Sequence, residues 1–501
     1  MFKRLMIQKI NLKMLTIPRD NRLNRIAFLL ISLFFLTAIQ RFWVHPSGGH
    51  THRQADTIGM SMAFAEQVRE RGVSAFDFLF YPRILQHGLL DGINAAEFPL
   101  LNVIGGFGFL LSSDPWVGVF ISALMILMLN FFVAFFSLPK VLRAWQVDTE
   151  GAICLLFWFA GSTVAAQSAV IMPEGVAFPL VIAGMAELLD SRSRIIHFVF
   201  GVFLCTLGIA VKPTAVIAMG ALLALPVFVE VQRKFWRRFS LGFILSLVFP
   251  AWWYTVHAKS ILNFAQGPQI FALAHFNPLE RLRELGFSDV FWLMRREAYQ
   301  GQFPMFVGWL FLVLAGLMRE WVPIVLYLVS LLFAMALDGE HIKAHYYYFI
   351  GSSIFSVLVM ARVYGLVKSQ PVIKAFLLIV LSWGVIYNIR GNIWVWARDS
   401  MYWKVNLWDM GSEARKIIDR QYHLVTDDGA YPLKLLFIGR SGSAFGGNVY
   451  QACSQDEYRH RPLALVSEAP PPRGLVFCDG RATEFNVIDL KFAKWFVTLV
   501  K

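Results

Sequence analysis

The sequence contains few charged residues for its length. Asp, Glu, Lys and Arg make up only 16% of its 501 residues, whereas 57% are hydrophobic and the mean hydropathy is +0.55. Apolar runs of about 18 or more residues are typical of membrane spans, and much of this chain consists of such runs. The low charge content therefore excludes a soluble globular protein and predicts an α-helical polytopic membrane protein.

Signatures of soluble enzymes are also missing. The sequence has no phosphate-binding Gly-rich loop, no HExxH and no CxxC. Its net charge of +13 does not indicate nucleic-acid binding, because the Lys and Arg residues occur mostly in short loops between apolar runs, where they orient the chain. No internal repeat is evident, which is evidence against a transporter built of duplicated halves.

There are only four cysteines. Cys154 and Cys205 lie inside apolar runs and are predicted to be small packing residues. Cys453 and Cys478 lie in the polar C-terminal part. If that part is exported they can form a disulfide, and two free thiols are the alternative.

The apolar runs predict about eleven transmembrane helices. The predicted spans are 25–43, 115–138, 151–171, 173–190, 195–211, 213–230, 241–258, 304–318, 321–337, 346–365 and 372–389. Basic residues follow every second span, for example Lys140, Arg233 and Lys368, which makes that side cytoplasmic. A basic stretch without a cleavage site precedes the first span, which is read as a signal anchor in a bacterial inner membrane.

This topology places the longer polar segments on the periplasmic side. The predicted domains are a transmembrane domain, 1–390, with a first periplasmic loop at 44–114, and a small periplasmic α/β domain, 391–501. In the loop, 56–71 is predicted as an interfacial helix, and 98–112 as a re-entrant or interfacial helix because it is short and Gly-rich. The C-terminal domain is predicted to contain a helix at 412–421 and strands at 435–439, 463–466 and 475–478.

The first loop carries the strongest candidates for chemistry. Asp56 stands beside Arg53 near the membrane edge, and Glu97 precedes the re-entrant segment. A carboxylate can accept the proton of an attacking hydroxyl, and an arginine can neutralise a leaving phosphate. The structural alternative is an interfacial salt bridge that anchors the loop.

Other polar residues fall on the same side of the predicted topology. Glu174 follows Pro173 at an apolar hairpin, Lys212 precedes Pro213 between two spans, and His345 and Tyr347 open a late span. Each has a structural alternative: a lysine can snorkel, a tyrosine can belong to the aromatic belt, and a histidine can be a hydrogen-bonded structural residue. The loop 259–303 mixes arginines with aromatics, which suits either a lipid-phosphate or sugar contact or a helix lying on the membrane.

The order of these motifs resembles that of the GT-C membrane glycosyltransferases. The similarity is to the group that holds the lipid A aminoarabinose transferases and the protein O-mannosyltransferases, and in particular to family-39-like proteins with WRQ-x-DT and E-F-P-L-Y-P in the first loop. Those motifs read here as His52-Arg53-Gln54-Ala55-Asp56-Thr57 and Glu97-Phe98-Pro99-Leu100-Leu101-Asn102. The resemblance covers about residues 25–390 and leaves the C-terminal domain without a motif.

The resemblance implies a polyprenyl-phosphate-linked sugar as donor and Asp56 as general base. Glu97 is predicted as the second catalytic residue, which orients the sugar or the base. The candidate donor-phosphate ligands are Arg53, Lys212 and Arg83, and the candidate substrate contacts are His52, Gln54, Glu174, His345 and Tyr347. Ala55 replaces the second acid of many relatives, and Phe98 replaces the lysine of the aminoarabinose transferases. Some relatives bind a metal ion here, so a divalent metal stays open as an alternative, with Glu97 and His345 as a candidate pair; their spacing is not specific enough to predict a metal site.

The resulting prediction is an inverting glycosyltransferase that acts on a cell-envelope glycan, a glycolipid or a protein. Besides donor and acceptor, its partners are membrane lipids, with no nucleic acid. The alternatives are a flippase for lipid-linked sugars, an oligosaccharide polymerase or ligase, and a non-enzymatic scaffold with a decayed site. A transporter should place polar residues at mid-membrane, whereas this chain concentrates them at span ends.

Overall fold

The structure is a computed structural model, and it describes most of the chain. The described residues are 22–44, 51–82, 97–112, 115–160, 171–190, 194–258, 260–261, 278–296, 307–338, 346–367, 369–402, 413–419, 421–427, 442–445, 449–454, 462–467, 469–472, 483–490 and 493–501.

Within these residues the chain is mainly helical. The helices are α1 (Arg22–Val44), α2 (Thr51–Arg71), α3 (Leu100–Leu111), α4 (Pro115–Phe132), α5 (Leu138–Ala144), α6 (Gly151–Ala160), α7 (Glu174–Asp190), α8 (Ile195–Val211), α9 (Val216–Phe228), α10 (Trp236–Trp252), α11 (Pro278–Arg296), α12 (Val307–Leu317), α13 (Trp321–Asp338), α14 (Ser353–Val367) and α15 (Pro371–Tyr402). A π-helical turn, Val133–Ser137, joins α4 to α5, and a second, Trp253–His257, extends α10.

Among the described residues, four helical stretches are long and apolar enough to cross a membrane: Val117–Ala144, Glu230–His257, Phe349–Val367 and Pro371–Arg390. Each of the eleven predicted spans also overlaps a helix. The chain is therefore a multi-pass helical membrane protein. The number of crossings and their orientation stay predictions.

Several helix ends differ from the predicted ones. α10 begins at Trp236, five residues before the predicted start at 241, and α14 is preceded by a 3₁₀ helix, Tyr346–Ser352. α15 continues to Tyr402, past the predicted domain boundary at 390. The reason is that an apolar run marks the part of a helix inside the lipid, whereas backbone hydrogen bonding extends into flanking polar residues. Residues 161–170, the second half of one predicted span, lie outside the described residues.

The first loop forms the two helices predicted for it, α2 and α3. A 3₁₀ helix, Gly72–Leu79, follows directly after α2. Ile58 and Ala65 of α2 are fully buried, so one side of this helix packs inside the protein. α3 packs between α2 and α4, and a Cβ at Gly108 would stand 2.4 Å from Ser122 Oγ and 2.6 Å from the Gly118 carbonyl oxygen. The glycines of 98–112 therefore serve close helix packing. The depth of these helices in the bilayer stays a prediction.

α11 occupies part of the loop 259–303 and is interrupted at Gly286, whose φ of 68° is left-handed. This favours a helix for that part of the loop. Its Phe291 and Trp292 side chains are more than half exposed.

The described residues of the C-terminal part form a five-stranded sheet, and 413–417 form a helical turn inside the predicted helix. The strands are β1 (His423–Asp427), β2 (Gly442–Phe445), β3 (Leu463–Ser467), β4 (Thr483–Leu490) and β5 (Ala493–Val500), in the order β2-β1-β3-β5-β4. β1 pairs in parallel with β2 and β3, whereas β5 is antiparallel to β3 and β4. Only β3 was predicted; the other predicted strands, 435–439 and 475–478, and the Cys453 and Cys478 side chains lie outside the described residues.

Candidate functional site

Three charged side chains from distant parts of the chain meet at one end of the helices. Lys212 Nζ lies 3.1 Å from Glu97 Oε1 and 3.2 Å from Glu174 Oε1. The side chains of Lys212, Glu97 and Glu174 are 6%, 17% and 0% exposed. We call these residues the Glu97–Lys212–Glu174 cluster.

The local helix geometry favours each charge where it stands. Glu174 is the first residue of α7, and Lys212 follows the last residue of α8. The N-terminus of a helix carries a partial positive charge and the C-terminus a partial negative charge, so both side chains oppose the adjacent helix dipole. The reversal Lys212-Pro213 ends α8, because Lys212 is extended (φ −147°, ψ 110°) and proline lacks the amide hydrogen needed to continue it.

A single carbonyl in the last turn of α8 positions Glu97 beside Lys212. The Ala210 carbonyl accepts hydrogen bonds from the Phe98 amide, at 3.2 Å, and from the Tyr254 hydroxyl, at 2.7 Å. Carbonyls in the last turn have no partner inside the helix, so they are available for such contacts. The Phe98 ring then packs edge-on against Phe249 and Trp253 of the α10 segment.

The start of α7, which carries Glu174, is fixed by a hydrogen bond from a neighbouring helix. Asn130 of α4 donates to the Gly175 carbonyl at 2.8 Å and accepts from Trp158 Nε1 at 3.2 Å. Neither Glu174 oxygen has a hydrogen-bond donor of good geometry among the described residues, although Oε1 lies within ion-pair distance of Lys212. The interaction is therefore a buried ion pair, and Lys212 is its source of positive charge.

The helix that carries Asp56 is tied to the segment that carries Glu97. Asn102 donates from Nδ2 to the carbonyl of Thr57, the residue after Asp56, at 3.1 Å. Ser61 donates to the same carbonyl at 2.8 Å. Residues 51–56 have a described helical backbone, whereas the side chains of His52, Arg53, Gln54 and Asp56 lie outside the described residues.

The late 3₁₀ helix approaches the Lys212 turn from another side. A Cβ at Gly351 would stand 2.3 Å from the Thr214 carbonyl oxygen, so the backbones of Tyr346–Ser352 and of the Lys212-Pro213-Thr214 turn touch. This contact brings the element that begins at Tyr346 to the cluster. The side chain of Tyr347, and all of His345 and Arg83, lie outside the described residues.

His257, which the sequence analysis missed, docks the end of the first loop. Its Nε2 donates to the Phe80 carbonyl at 2.8 Å, and its ring stacks on Trp252 with centroids 4.9 Å apart. The imidazole also lies edge-on to Tyr81. The signal was a lone histidine at the end of an aromatic run, WWYTVH, which has no specific meaning before the loop is folded onto it.

A second polar layer lies at the opposite ends of α7 and α8. Lys140 Nζ contacts Asp190 Oδ2 at 2.6 Å, and His197 Nδ1 lies 2.6 Å from Glu187 Oε2. These side chains are between about a fifth and two fifths exposed, unlike Glu174 and Lys212. α7 has 17 residues, which corresponds to about 25 Å, so the two layers stand about one helix length apart.

Metal ligands do not gather in the part of the chain that the structure describes: no three His, Cys, Asp or Glu side chains there are arranged to hold an ion. The Glu97–His345 pair is not tested, because His345 lies outside that part.

The comparison with solved structures identifies the architecture. ArnT from Cupriavidus metallidurans matches in two structures, one bound to undecaprenyl phosphate (TM-score 0.56, 12% identity) and one in the apo state (TM-score 0.57, 11% identity); each match covers 94% of this chain and 97% of that chain. The chain has the GT-C fold.

The GT-C fold agrees with the resemblance drawn from the motif order, which is confirmed at the level of the fold.

The oligosaccharyltransferase of Archaeoglobus fulgidus, in a complex with Zn and sulfate, also matches, with a TM-score of 0.49 and 12% identity over 89% of this chain and 67% of that chain. No family model and no curated protein matches the sequence.

Proposed function

We propose that the chain is a membrane glycosyltransferase that moves a sugar from a polyprenyl-phosphate-linked donor to a cell-envelope glycan, a glycolipid or a protein. The reaction is placed on the periplasmic face of a bacterial inner membrane. The observation that carries the proposal is the buried Glu97–Lys212–Glu174 cluster at one end of a GT-C fold. The ArnT structure bound to undecaprenyl phosphate supports the class of donor.

Lys212 is proposed to bind the donor phosphate. Its ammonium group is positively charged and can donate hydrogen bonds to a phosphate oxygen, and Glu97 and Glu174 hold it at one end of the helices. Glu97 is partly exposed and Glu174 is fully buried, so the open side of the cluster lies at Glu97. Glu174 is therefore proposed to act on the substrate through Lys212, as a positioning residue.

The charge of the cluster explains why further cations are needed. With both carboxylates ionised, one positive and two negative charges leave it at −1. An approaching phosphate would be repelled unless other cations lie close. Arg53, on the helix tied to this region, and Arg83 are proposed to supply that charge, since guanidinium groups bind phosphate in a bidentate manner.

Asp56 is proposed as the general base. It accepts the proton of the acceptor hydroxyl while the hydroxyl oxygen bonds to the anomeric carbon. The bond from that carbon to the phosphate oxygen breaks, and polyprenyl phosphate leaves with the electron pair, so the configuration inverts. Glu97 orients the sugar or the base, and His52, Gln54, His345 and Tyr347 are proposed sugar contacts.

The positions of the charged groups favour this enzyme over a flippase. α7 carries Glu174 at its first residue and Glu187 and Asp190 in its last turn, with no charged residue between 174 and 187. A transport pathway would require polar groups along the middle of the spans. Among the described residues, no feature favours the alternative of an oligosaccharide polymerase or ligase.

The experiment is a transfer assay with purified protein in nanodiscs. Radiolabelled polyprenyl-phosphate sugars serve as donors and an envelope extract as acceptor, with the Asp56→Asn variant in parallel. A matched control is Asp77→Asn, which removes an exposed carboxylate of the same loop that pairs with Arg71 at 2.7 Å. We expect transfer to fall at least about 100-fold in the first variant, and less than about twofold in the second, with the donor lipid still bound by both.

Two outcomes would contradict the proposal at different points. Transfer that survives Asp56→Asn would retain the enzyme class and remove Asp56 as the base, with Glu97 as the next candidate. Failure to transfer from any donor, together with movement of a labelled lipid across proteoliposome membranes, would replace the transferase by a transporter.

A further inference from the structure

A cavity lies between α9 and α10, at the end of α9 remote from the Lys212 turn. Its volume is about 370 Å³, and most of its wall is apolar. Leu223, Pro226 and Val227 form the α9 side, and Trp236 and Phe239 form the α10 side. α9 has 13 residues, so the cavity is about 20 Å from the proposed transferase site, and it is separate from that site.

Two polar side chains also line the cavity, those of Arg233 and Ser240. Residues 231–240 contain four cations, Arg233, Lys234, Arg237 and Arg238, and no acid. Three of these cations lie over aromatic rings: Lys234 over Phe235, Arg237 over Trp236 and Arg238 over Phe198, at 5.2, 5.8 and 5.4 Å.

Arg233 is the cation that faces the cavity. In the part of the chain that the structure describes, no carboxylate pairs with it and no ring lies under it. A guanidinium that lines an apolar cavity, with no carboxylate beside it among the described residues, selects for a ligand that is anionic at one end and apolar at the other.

The surroundings of the cavity are those of a surface in contact with lipid. Val227, Val231 and Trp236 are 65%, 63% and 54% exposed, although they are apolar. In a multi-pass membrane protein such side chains face the bilayer, and tryptophan is enriched at the level of the headgroups. A bilayer lipid can therefore reach the cavity from the side.

We propose that this cavity binds one anionic phospholipid, with its phosphate on Arg233 and one acyl chain between α9 and α10. Four cations in ten residues disfavour a zwitterionic lipid, because its ammonium group would stand among them. A small soluble anion would leave the apolar wall in contact with water. The site would retain one lipid of the leaflet that surrounds the basic helix ends.

The test uses the full-length protein in nanodiscs of phosphatidylcholine with increasing phosphatidylglycerol, and native mass spectrometry counts the retained lipids. Arg233→Gln is compared with Lys234→Gln, which removes the same charge from the next residue without lining the cavity. At about 0.3 M salt, where remote charges are screened, we expect at least a tenfold loss of phosphatidylglycerol affinity in Arg233→Gln and less than a threefold loss in Lys234→Gln.

A second variant tests the apolar part. Leu223→Trp replaces the leucine side chain with a larger indole ring that fills part of the cavity. We expect it to lower retention of phosphatidylglycerol at least fivefold while Arg233 is intact. Equal losses in Arg233→Gln and Lys234→Gln would mean general attraction to an anionic surface and would overturn the proposal. Equal retention of phosphatidylcholine and phosphatidylglycerol by the native protein would also overturn it, because the cavity would then accept any acyl chain.

Discussion

The carboxylate of Glu174 is completely buried, and Lys212 Nζ lies 3.2 Å from one of its oxygens. A carboxylate removed from water is stable as an anion only when a positive charge compensates for the lost hydration. Lys212 supplies that charge, and Glu97 contacts the same ammonium group at 3.1 Å from the more exposed side. The stability of this region and the proposed phosphate binding therefore depend on the same side chain.

Lys212→Met should destabilise the protein strongly, by about 3–5 kcal/mol, because it leaves Glu174 buried without a counter-charge. The double variant Lys212→Met, Glu174→Gln should recover more than half of that loss, since the buried charge is then gone. Thermal unfolding in detergent measures both.

The matched control for this cycle is Lys140→Met. Lys140 also contacts two carboxylates, those of Glu187 and Asp190, but its side chain is 35% exposed. Pairs that reach solvent contribute less, so we expect about 1 kcal/mol or less. Additive effects of the Lys212 and Glu174 substitutions would show that the two side chains are not coupled.

Asn102→Ala should lower the transfer rate without changing donor affinity. Its amide holds the Thr57 carbonyl at 3.1 Å, so its loss loosens the helix that carries Asp56, the proposed base. We expect kcat to fall about tenfold, which corresponds to about 1.4 kcal/mol, with a KM for the donor that changes less than threefold.

Asn388→Ala is the control for Asn102→Ala. Asn388 donates to the Phe159 carbonyl at 2.9 Å, a hydrogen bond of the same kind made by a residue outside the candidate site. If both variants lower kcat equally, Asn102 acts through general stability and not through the position of Asp56.

Gly108→Ala should destabilise the packing of α3, because its Cβ would stand 2.4 Å from Ser122 Oγ and 2.6 Å from a backbone carbonyl oxygen of α4. Overpacking of this kind costs about 1–3 kcal/mol. Gly59→Ala in α2 is the control: a Cβ there meets nothing within 4 Å, so the higher helix propensity of alanine should leave the protein unchanged or up to about 1 kcal/mol more stable. A lower unfolding midpoint for Gly59→Ala than for Gly108→Ala would contradict this account of the packing.

The helical membrane architecture was predictable because long apolar runs have few other stable structures. Glu174 and Lys212 were also predicted to face the same side, since each stands at a reversal between two spans. Their direct contact was not predictable: 115 residues separate Glu97 from Lys212, and the two segments meet where the Phe98 amide donates to the Ala210 carbonyl. Hydrogen bonds of this kind have no periodic pattern in the sequence.

The C-terminal sheet was predicted poorly for a different reason. β5 reads AKWFVTLV, and its aromatic and β-branched residues are typical of a strand, as is the antiparallel neighbour β4. Both lay in a region interpreted only from short apolar runs between Gly and Pro, so the pairing of 483–490 with 493–500 across two residues was missed. A search for paired β-rich runs would have found this hairpin.

His257→Phe should release the end of the first loop while the protein stays folded. Phenylalanine keeps a ring that can stack on Trp252, but it cannot donate to the Phe80 carbonyl, which His257 Nε2 reaches at 2.8 Å. A hydrogen bond of this kind contributes about 0.5–1.5 kcal/mol, which corresponds to an opening equilibrium about 2- to 12-fold more favourable. Hydrogen exchange of residues 72–82 should therefore rise by that factor.

Thr255→Val is the control for His257→Phe, because the Thr255 hydroxyl donates to the Ala251 carbonyl within its own helix and not to the first loop. Unchanged exchange in His257→Phe would mean that the loop is held by its own contacts, such as the Phe64–Phe78 ring pair, and not by the histidine.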